Sequence, residues 1–525
     1  MRMLRTRSLV LLTIIALLTA LGDGSTSTNS NTITLTTAQQ LADNPKASSV
    51  DACLPTSRPA GQDTTCEGCK QVSAEPPAEL PPPTSPVVSG KWDLWTNGTL
   101  LRGINIWQKA LYPRDKLNRE GKLEVSFETS YDPEDFAKMR SWGANYVNIS
   151  HPGIYSEKPI ETGRGKPKTY IPVDDVITNL KRLVTMSRDA QLFVVVSFRT
   201  GPGRNEAVFD EKEKGPITTS WKTDDRGALT EKACEAQNAW VEMWRRAAHE
   251  LKDFPNVVAY DLMVEPHQER EQQEGINKQE LWFALAGRLA EAIRREDTRT
   301  PIMIGGANVS TACSLSCVAP GRFSKYGRIV YAAHQYEPYD LYTHQANRNA
   351  RYKCDEEGAP VNKKSDRDKP HNPHEFDSAV RTVMCDRYRF IYGFRSTHDM
   401  VPVAVNEFGV VRYAGAEGQP DAYKAVEFEM GLNERIGANH ALWLWETVAC
   451  IGYDELNIKH GPDPLKHSDL MVDEELKDDL INAIKRNWAR NRIFATPDVL
   501  NRLGAEDSPR VPLPAVQVSS CKKPS

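Results

Sequence analysis

Two glutamates stand at the ends of apolar segments that have the composition of buried strands. Glu265 ends such a segment in AYDLMVEPH (259–267), and Glu407 ends another in VPVAVNEFGVV (401–411). Two opposed carboxylates can divide the work of bond cleavage, since one can donate a proton to a leaving oxygen while the other attacks carbon. The chemistry therefore depends on whether the fold brings the two glutamates together.

Short apolar segments alternate with longer segments of helical periodicity along most of the chain. The predicted strands are LRGINIW (101–107), YVNIS (146–150), LFVVVSF (192–198), VVAYDLM (257–263), PIMIGG (301–306), IVYAAH (329–334), VPVAVNE (401–407) and HALWLW (440–445). Eight alternating strands and helices predict an α/β fold, a (β/α)8 TIM barrel. A doubly wound open sheet is the alternative, but the chain has no strand–GxGxxG–helix unit that would support nucleotide binding.

A barrel would place the two glutamates at the same mouth. Glu265 follows the fourth predicted strand and Glu407 closes the seventh, and the loops after the strands build the active site of a TIM barrel. Two carboxylates facing each other there are the chemistry of glycoside hydrolysis. Either glutamate alone is more simply a solvated acid or an ion-pair partner. Together they favour catalysis that needs no cofactor or metal. In such catalysis the pKa of the carboxyl group that donates the proton should be raised, and the carboxylate that attacks carbon should stay ionised.

The ordered motifs resemble those of glycoside hydrolase family 5, the cellulase-like retaining barrels, over residues 92–446. LRGIN resembles the first-strand signature, VVAYDLMVEP the fourth-strand motif, AAHQY the His-x-Tyr motif, VAVNEFG the nucleophile motif and ALWLWE the eighth strand. The resemblance implies that Glu265 is the acid/base and Glu407 the nucleophile of a retaining glycosidase acting on carbohydrate.

The same resemblance implies further substrate-binding residues. Tyr336 would donate a hydrogen bond to the nucleophile, and His334 would contact a sugar hydroxyl or orient a neighbour. Trp443 is the first candidate for stacking under the reactive sugar and Trp445 the second. Each of these side chains could instead be a packed core residue, as could the further candidate platforms Trp107, Trp221 and Tyr339.

Three positions depart from the family pattern. Val264 precedes the acid/base where the family has Asn, Asn148 lies on strand two where it has Arg, and Arg199 follows strand three where it has His. Arg199 either supplies the cation that strand two lacks or pairs with acids of the long loop after strand three. Asn148 either contacts substrate or fills a smaller space. These departures put standard β-1,4-glucanase or mannanase activity in question.

The N-terminus predicts export. Three arginines precede SLVLLTIIALLTAL, which is short for crossing a bilayer, and its end, Ala20-Leu21-Gly22, offers small residues for cleavage. An uncleaved signal anchor is the competing interpretation. Ten cysteines suit an oxidising compartment, in which Cys313 can pair with Cys317, and Cys354 with Cys385. We expect a secreted protein, or a periplasmic one in a bacterium, with no membrane anchor after cleavage.

Composition and segmentation complete the prediction. The net charge of −4 and pI near 6.3 give no basic bias towards nucleic acid. We expect a monomer built from a signal peptide (1–22), a disordered Ser/Thr/Pro-rich tail (23–90), the barrel (91–498) and a C-terminal extension (499–525).

Other function classes fit the sequence less well. A carbohydrate-binding protein on a decayed glycosidase barrel would explain the three departures but not the retention of both glutamates and Tyr336. The chain has no GxSxG elbow for a serine hydrolase and no HExxH motif for a metal hydrolase.

Overall fold

Eight parallel strands form a closed barrel in the computed structural model. The structure describes residues 73–77, 87–209, 221–224, 228–266, 278–337, 353–354, 360–361, 378–410, 422–446 and 474–505. The barrel strands are β1 (Arg102–Trp107), β2 (Tyr146–His151), β3 (Phe193–Phe198), β4 (Val257–Asp261), β5 (Ile302–Gly305), β6 (Ile329–Gln335), β7 (Val403–Phe408) and β8 (Asn439–Leu442). All eight predicted strands are present.

Each strand is hydrogen-bonded to its sequence neighbours, and β8 closes the ring against β1. The register places Asn105 of β1 beside Asn148 of β2, and Ser197 of β3 beside Asp261 of β4. Every residue of the eight strands is buried, as expected for parallel strands covered on both faces. The prediction of a (β/α)8 barrel is confirmed, and an open doubly wound sheet is excluded.

Helices follow most of the strands and cover the barrel. They are α1 (Pro133–Ser141), α2 (Asp174–Asp189), α3 (Glu231–Leu251), α4 (Lys278–Glu296), α5 (Ser378–Thr397), α6 (Ala422–Ile436), α7 (Glu474–Trp488) and α8 (Pro497–Ala505). Three short 3-10 turns follow β5 within the described residues: Ala312–Cys317, Pro320–Arg322 and Ser324–Tyr326. Short antiparallel pairs join 110–111 to 126–127, 160–161 to 168–169 and 353–354 to 360–361.

Local sequence explains where the first barrel helix begins. Asp132 accepts hydrogen bonds from the backbone N–H groups of Glu134 and Asp135, and Asp135 accepts one from the backbone of Asp132. Together with Pro133 in the first turn, this reciprocal cap satisfies donors that a helix start otherwise leaves unpaired. The buried face of α1 carries Phe136 and Met139.

The core has two layers. The larger cluster lies between the strands and the surrounding helices, and a smaller one fills the barrel interior with side chains such as Phe193, Val195 and Met303. A one-turn helix, Asp93–Thr96, joins the inner cluster, where the indole of Trp95 donates to the carbonyl of Val258 at 3.0 Å. Helix α8 joins the same cluster through three buried aliphatic side chains, Val499, Leu500 and Leu503.

One glycine marks a close approach of strands β1 and β2. A Cβ atom on Gly103 would lie 1.8 Å from the carbonyl oxygen of Tyr146, so only glycine fits at this position. The family-like LRGIN segment therefore carries a packing constraint as well as a motif.

The predicted signal peptide, most of the tail, Tyr339, and most of the insertion after β6 and of the C-terminal extension lie outside the described residues. No helix in the described part of the chain is both long and apolar enough to cross a membrane.

Candidate active site

Glu265 is held at the barrel mouth by a left-handed backbone. Its φ of 48° is unusual for a residue with a side chain and costs about 1–2 kcal/mol. Its carbonyl accepts from Nη2 of Arg204 at 2.8 Å, and the N–H of Val264 donates to the carbonyl of Phe198 at 3.0 Å. These bonds hold the segment after β4 in a conformation that it would otherwise rarely adopt.

Glu407 lies on β7 where the sheet register is irregular. The pairing of β6 with β7 shifts between Ala333 and His334, and that of β7 with β8 shifts between Val405 and Phe408. Such irregularities re-aim side chains near the ends of strands. Here they accompany the two strand positions, His334 and Glu407, whose side chains meet Glu265.

The structure brings four predicted residues into one cluster. Nδ1 of His334 lies 3.0 Å from Oε1 of Glu265 and 3.3 Å from Oε2 of Glu407. The hydroxyl of Tyr336 donates to the same Oε2 at 3.0 Å. Oxygens of the two glutamates lie within 4.8 Å of each other. The side chain of Glu265 is 13% exposed and that of Glu407 is 3% exposed, so Glu265 is the more accessible acid.

The two oxygens of Glu407 differ in their surroundings. Oε2 receives the contacts from Tyr336 and His334. Oε1 is buried and has no hydrogen-bond partner among the residues that the structure describes. A buried carboxylate oxygen without a partner is costly, so a ligand group that contacted Oε1 would offset that cost.

Burial and mutual charge set the ionisation of this cluster. Burial, together with the charge of Glu265, raises the pKa of Glu407 to about 7, although His334, Arg199 and Tyr336 favour its ionised form. Burial alone would lower the pKa of His334, but the carboxylates of Glu407 and Glu265 raise it to about 9. At neutral pH His334 is therefore an imidazolium between two acids, and the titration belongs to the cluster as a whole.

Asn148 lies beneath this cluster in a polar network that fills the top of the barrel. It donates to Oδ1 of Asn105 at 2.6 Å and accepts from Ser197 at 2.7 Å. The Ser197 hydroxyl shares its one proton between Oδ1 of Asn148 and Oδ2 of Asp261, which lies 3.0 Å away, and Asn406 donates to the same Oδ2 at 2.8 Å. Asn148 is fully buried, so the structure favours its space-filling role within this network.

Sequence reasoning missed Asn105, Ser197, Asp261 and Asn406. The signal was available, because each is a polar residue within an otherwise apolar strand segment, and such residues are buried only with partners. Burial raises the pKa of Asp261 to about 6, while the charge of His334 and the bonds from Ser197 and Asn406 oppose that rise. Since Asn406 directly precedes Glu407, the network supports the strand end that carries Glu407.

Aromatic side chains form one wall of the mouth. Trp107, Tyr336, Trp443 and Leu444 make a separate apolar cluster, and the rings of Trp107 and Trp443 lie 6.3 Å apart with a 37° tilt. The indole N–H of Trp443 is buried without a hydrogen-bond partner among the described residues. Trp443 thus belongs to this cluster, and its stacking role stays a prediction.

The prediction that Trp445 is a second stacking residue is wrong. Trp445 is fully buried, its indole donates to Oδ1 of Asp135 at 3.0 Å, and its ring meets Trp142 edge-on at 5.3 Å. Trp445 lies beyond the end of β8 (Asn439–Leu442), where strand alternation no longer applies, and its contacts place it against α1. Trp221 is also a packing residue, 4% exposed and in edge contact with Trp282.

Arg199 reaches the aromatic wall and also pairs with a loop acid. Its guanidinium carbon lies 4.9 Å from the ring centre of Trp107 and 5.3 Å from that of Trp443. Its Nε donates to Oε2 of Glu206 at 2.9 Å. The structure therefore has a contact for each interpretation of Arg199: its guanidinium lies at the aromatic wall of the mouth, and it pairs with an acid of the loop after β3. Glu206 was missed because a glutamate in a polar loop carries no distinguishing signal.

Val264 faces an apolar surface rather than a polar one. It is 1% exposed and clusters with Val208 and Phe209, from the 3-10 turn Glu206–Phe209 that follows β3. The departure at position 264 is thus matched by apolar residues in the neighbouring loop.

Glu265, His334 and Glu407 also form a set of three groups that could ligate a metal ion. The ring nitrogen nearest the acids already lies at hydrogen-bond distance from Glu265. Proton sharing therefore accounts for this arrangement without a metal.

Comparison with known proteins addresses the family. The family model described as cellulase (glycosyl hydrolase family 5) matches residues 126–448, more than half of the chain. Comparison with curated proteins finds no match.

Several solved structures are similar at low sequence identity. Thermotoga maritima Cel5A, solved as a mutant with cellobiose, is 16% identical; the match covers 75% of this chain and 99% of that one, with a TM-score of 0.46. A hyperthermophilic endo-beta-1,4-glucanase in complex with substrate is 15% identical, with 75% and 100% covered and a TM-score of 0.47. The cellulose synthase subunit Z (CcsZ) of Clostridioides difficile is 16% identical, with 66% and 93% covered and a TM-score of 0.45. On the match of the family model over residues 126–448, the chain belongs to glycosyl hydrolase family 5.

Proposed function

We propose that the protein is a secreted retaining glycoside hydrolase that cleaves O-glycosidic bonds of a polysaccharide or glycoside by double displacement. Glu265 acts as acid/base and Glu407 as nucleophile. The separation of their oxygens, within 4.8 Å, carries the proposal. Retaining enzymes hold their two carboxyl groups about 5–5.5 Å apart, whereas inverting enzymes leave about 6.5–9.5 Å for a water molecule.

The exposure and contacts of the two acids support this division of roles. In the first step Glu407 forms a bond to the anomeric carbon as the bond to the leaving oxygen breaks, and Glu265 donates its proton to that oxygen. In the second step Glu265 removes a proton from water, whose oxygen displaces Glu407 from the same carbon. The partnerless Oε1 of Glu407 suits attack, and the more exposed Glu265 suits exchange with leaving group and water.

The raised pKa of Glu407 differs from the simple expectation of a strongly acidic nucleophile. Burial makes this carboxylate hard to ionise, and the neighbouring cations compensate only in part. The proposal therefore includes an acidic limb near pH 7 in the free enzyme and an upper limit set by the imidazolium of His334 near pH 9.

Carbohydrate as the substrate class is supported by the aromatic wall. Neutral sugars bind through stacking and hydrogen bonds rather than through charge. Trp107 and Trp443 supply aromatic rings, and the indole N–H of Trp443 has no partner among the described residues. Secretion is supported by the apolar N-terminal segment, and no free cysteine occurs among the described residues. Disulfide pairing and a monomeric state remain part of the proposal.

The test is hydrolysis of a panel of aryl β-glycosides and β-linked oligosaccharides, with the anomer of the first product followed by NMR. Release of the β-anomer supports double displacement. An α-anomer as the first product would contradict the assignment of Glu407 as nucleophile.

A matched pair of variants links activity to the site. Glu407→Ala should abolish turnover of activated substrates, and azide should restore it by forming an α-glycosyl azide. Glu427→Ala, on the outer helix α6 where Glu427 pairs with Arg486, should leave turnover unchanged. Binding of oligosaccharide with no hydrolysis by the unmodified protein would instead support the carbohydrate-binding alternative.

A further inference from the structure

Arg204 is a buried arginine that joins two strand ends at the barrel mouth. It is 2% exposed and lies in the loop after β3. Its Nη2 donates to the carbonyl of Glu265, after β4, at 2.8 Å, and its Nη1 donates to the carbonyl of Arg199, which directly follows β3. The guanidinium carbon lies 4.9 Å from the ring centre of Phe209. A planar group with donors in fixed directions suits such a double contact.

The loop that carries Arg204 is itself tightly held. The N–H of Gly201 donates to the carbonyl of Arg204 at 2.8 Å, and the N–H of Arg204 donates back to the carbonyl of Gly201 at 2.9 Å. Between them Gly203 has a φ of 71°, which glycine adopts without strain. The indole of Trp240 on α3 donates to the carbonyl of Pro202 at 2.9 Å. The guanidinium therefore starts from a fixed turn.

The backbone that the guanidinium contacts is a strained one. Glu265 has a φ of 48°, in the left-handed region, and such a conformation persists only where the surrounding structure imposes it. The residues on either side are held by backbone bonds, from the N–H of Val264 to the carbonyl of Phe198 at 3.0 Å and from the N–H of Val309 to the carbonyl of Pro266 at 3.3 Å. The arginine adds the bond to the carbonyl of Glu265 itself.

The conformation at position 265 decides where the carboxyl group lies. Oε1 of Glu265 is 3.0 Å from Nδ1 of His334, and oxygens of Glu265 and Glu407 lie within 4.8 Å of each other. A turn of φ from the left-handed to an ordinary region would redirect the Cα–Cβ bond and carry the carboxyl group away from both partners. Displacement of a reacting group by about 1 Å can cost about 10²-fold in rate.

We propose that Arg204 is a positioning residue for Glu265: by tying the carbonyl of Glu265 to that of Arg199, it keeps the carboxyl group of Glu265 turned towards His334 and Glu407. The inference rests on the proposed function in giving Glu265 its role as acid/base. Its mechanical part, the control of one backbone conformation by one guanidinium, does not depend on a substrate.

The mechanical part is tested by the crystal structure of Arg204→Gln, solved beside that of the unmodified protein. Glutamine is too short to reach both carbonyls and carries no charge. We expect φ of Glu265 to leave the left-handed region and the 3.0 Å contact of Glu265 with His334 to be lost. Retention of that contact in the variant would overturn the proposal.

Kinetics with two classes of leaving group separate a positioning role from a purely structural one. A dinitrophenyl leaving group departs without a proton, whereas a methoxyphenyl group needs the proton of the acid/base. Arg204→Gln should therefore lower kcat/KM about 10²-fold for methoxyphenyl glycosides but by less than about threefold for dinitrophenyl glycosides. Azide attacks without help from a base, so it should raise kcat of the variant on the dinitrophenyl glycoside and give a glycosyl azide of retained configuration.

Arg294→Gln is the matched control. Arg294 of α4 is also a buried arginine, 3% exposed, whose guanidinium donates to backbone carbonyls, those of Tyr326 and Thr300 at 2.7 and 2.8 Å. Thr300 precedes β5 and therefore lies at the end of the barrel opposite to the mouth. Any loss of rate in this control should be equal for the two leaving groups and unchanged by azide. Urea denaturation identifies a temperature at which both variants are folded for the assays.

Equal losses on the two leaving groups in Arg204→Gln, or no loss on either, would also overturn the proposal. If Arg204→Gln does not fold, Arg204→Lys carries the same expectations, because a single ammonium nitrogen replaces a fork that bonds two carbonyls. Failure of the unmodified protein to hydrolyse any glycoside would refute the proposed function, and the crystal structures would still decide whether Arg204 holds Glu265 in place.

Discussion

Tyr336→Phe is the change that most directly probes Glu407, the proposed nucleophile. The hydroxyl of Tyr336 donates to Oε2 of Glu407 at 3.0 Å, and Tyr336 is 5% exposed. Phenylalanine keeps the ring within the cluster of Trp107 and Trp443 but removes the donor. The substitution therefore isolates one hydrogen bond to a buried carboxylate.

The size of the effect follows from the charge of the acceptor. A hydrogen bond to a charged group contributes about 1.5–3 kcal/mol, which corresponds to about 10- to 150-fold in rate if the bond supports the reacting state. The bond favours the ionised form of Glu407, so its loss raises the pKa of that group above its present value of about 7. At 1.36 kcal/mol per pH unit, the acidic limb should move up by about one to two units.

The assay is kcat and kcat/KM across about pH 5–11 on an aryl glycoside that the unmodified enzyme cleaves. This window spans roughly two units below the pKa of Glu407, about 7, and two above that of His334, about 9. Tyr331→Phe is the matched control, because Tyr331 lies on β6, the strand that Tyr336 directly follows, is 3% exposed, and its ring centre lies 5.3 Å from that of Phe394 in α5. A rate within about threefold of the unmodified enzyme, with an unmoved acidic limb, would refute the reasoning, since the bond would then contribute well under 1.5 kcal/mol.

Two further predictions concern buried carboxylates. Asp261→Asn places an amide where Ser197 and Asn406 donate hydrogen bonds to a carboxylate. We expect the free energy of unfolding, measured by urea denaturation, to fall by about 1–3 kcal/mol, and kcat, measured by steady-state kinetics, to fall as well. No change in either quantity would show that the network does not support the site. Burial alone would raise the pKa of Glu434, but Arg102 lowers it from 4.5 to about 2, so this stabilisation is complete above about pH 4.5 and is lost as pH falls towards 2. Glu434→Gln should therefore cost about 3–5 kcal/mol at pH 7, and a loss that persists undiminished near pH 2 in denaturation curves would contradict this.

The fold could be predicted from the sequence because two regular signals agree. Apolar segments of strand length alternate with helical periodicity, including HALWLW, which contains most of the closing strand β8. Both glutamates were recognisable because each ends such a segment. The segment after β5 lacked a clear helical pattern, and there the described residues form 3-10 turns.

The details of the site were harder to predict because they depend on distances across the barrel. Nothing in the sequence distinguishes Trp443 from Trp445, although one lines the mouth and the other packs against α1. The pairing of Arg199 with Glu206 depends on the path of a loop. The raised pKa of Glu407 depends on complete burial, which follows from packing around the whole ring rather than from any local motif.

The departures from the family pattern at Asn148 and Arg199 change which strand carries the positive charge at the barrel mouth. With Asn148 on β2, the top of the barrel holds a neutral amide that completes a hydrogen-bond network to Asp261, through Ser197. Arg199 then brings a guanidinium to the same mouth from the end of β3, anchored by aromatic rings rather than by the barrel interior. A carboxylate buried as deeply as Glu407 requires compensating positive charge near it in space, but the strand that supplies that charge is free to change. The fold must therefore keep positive charge near Glu407, but the strand and the residue that supply this charge can vary.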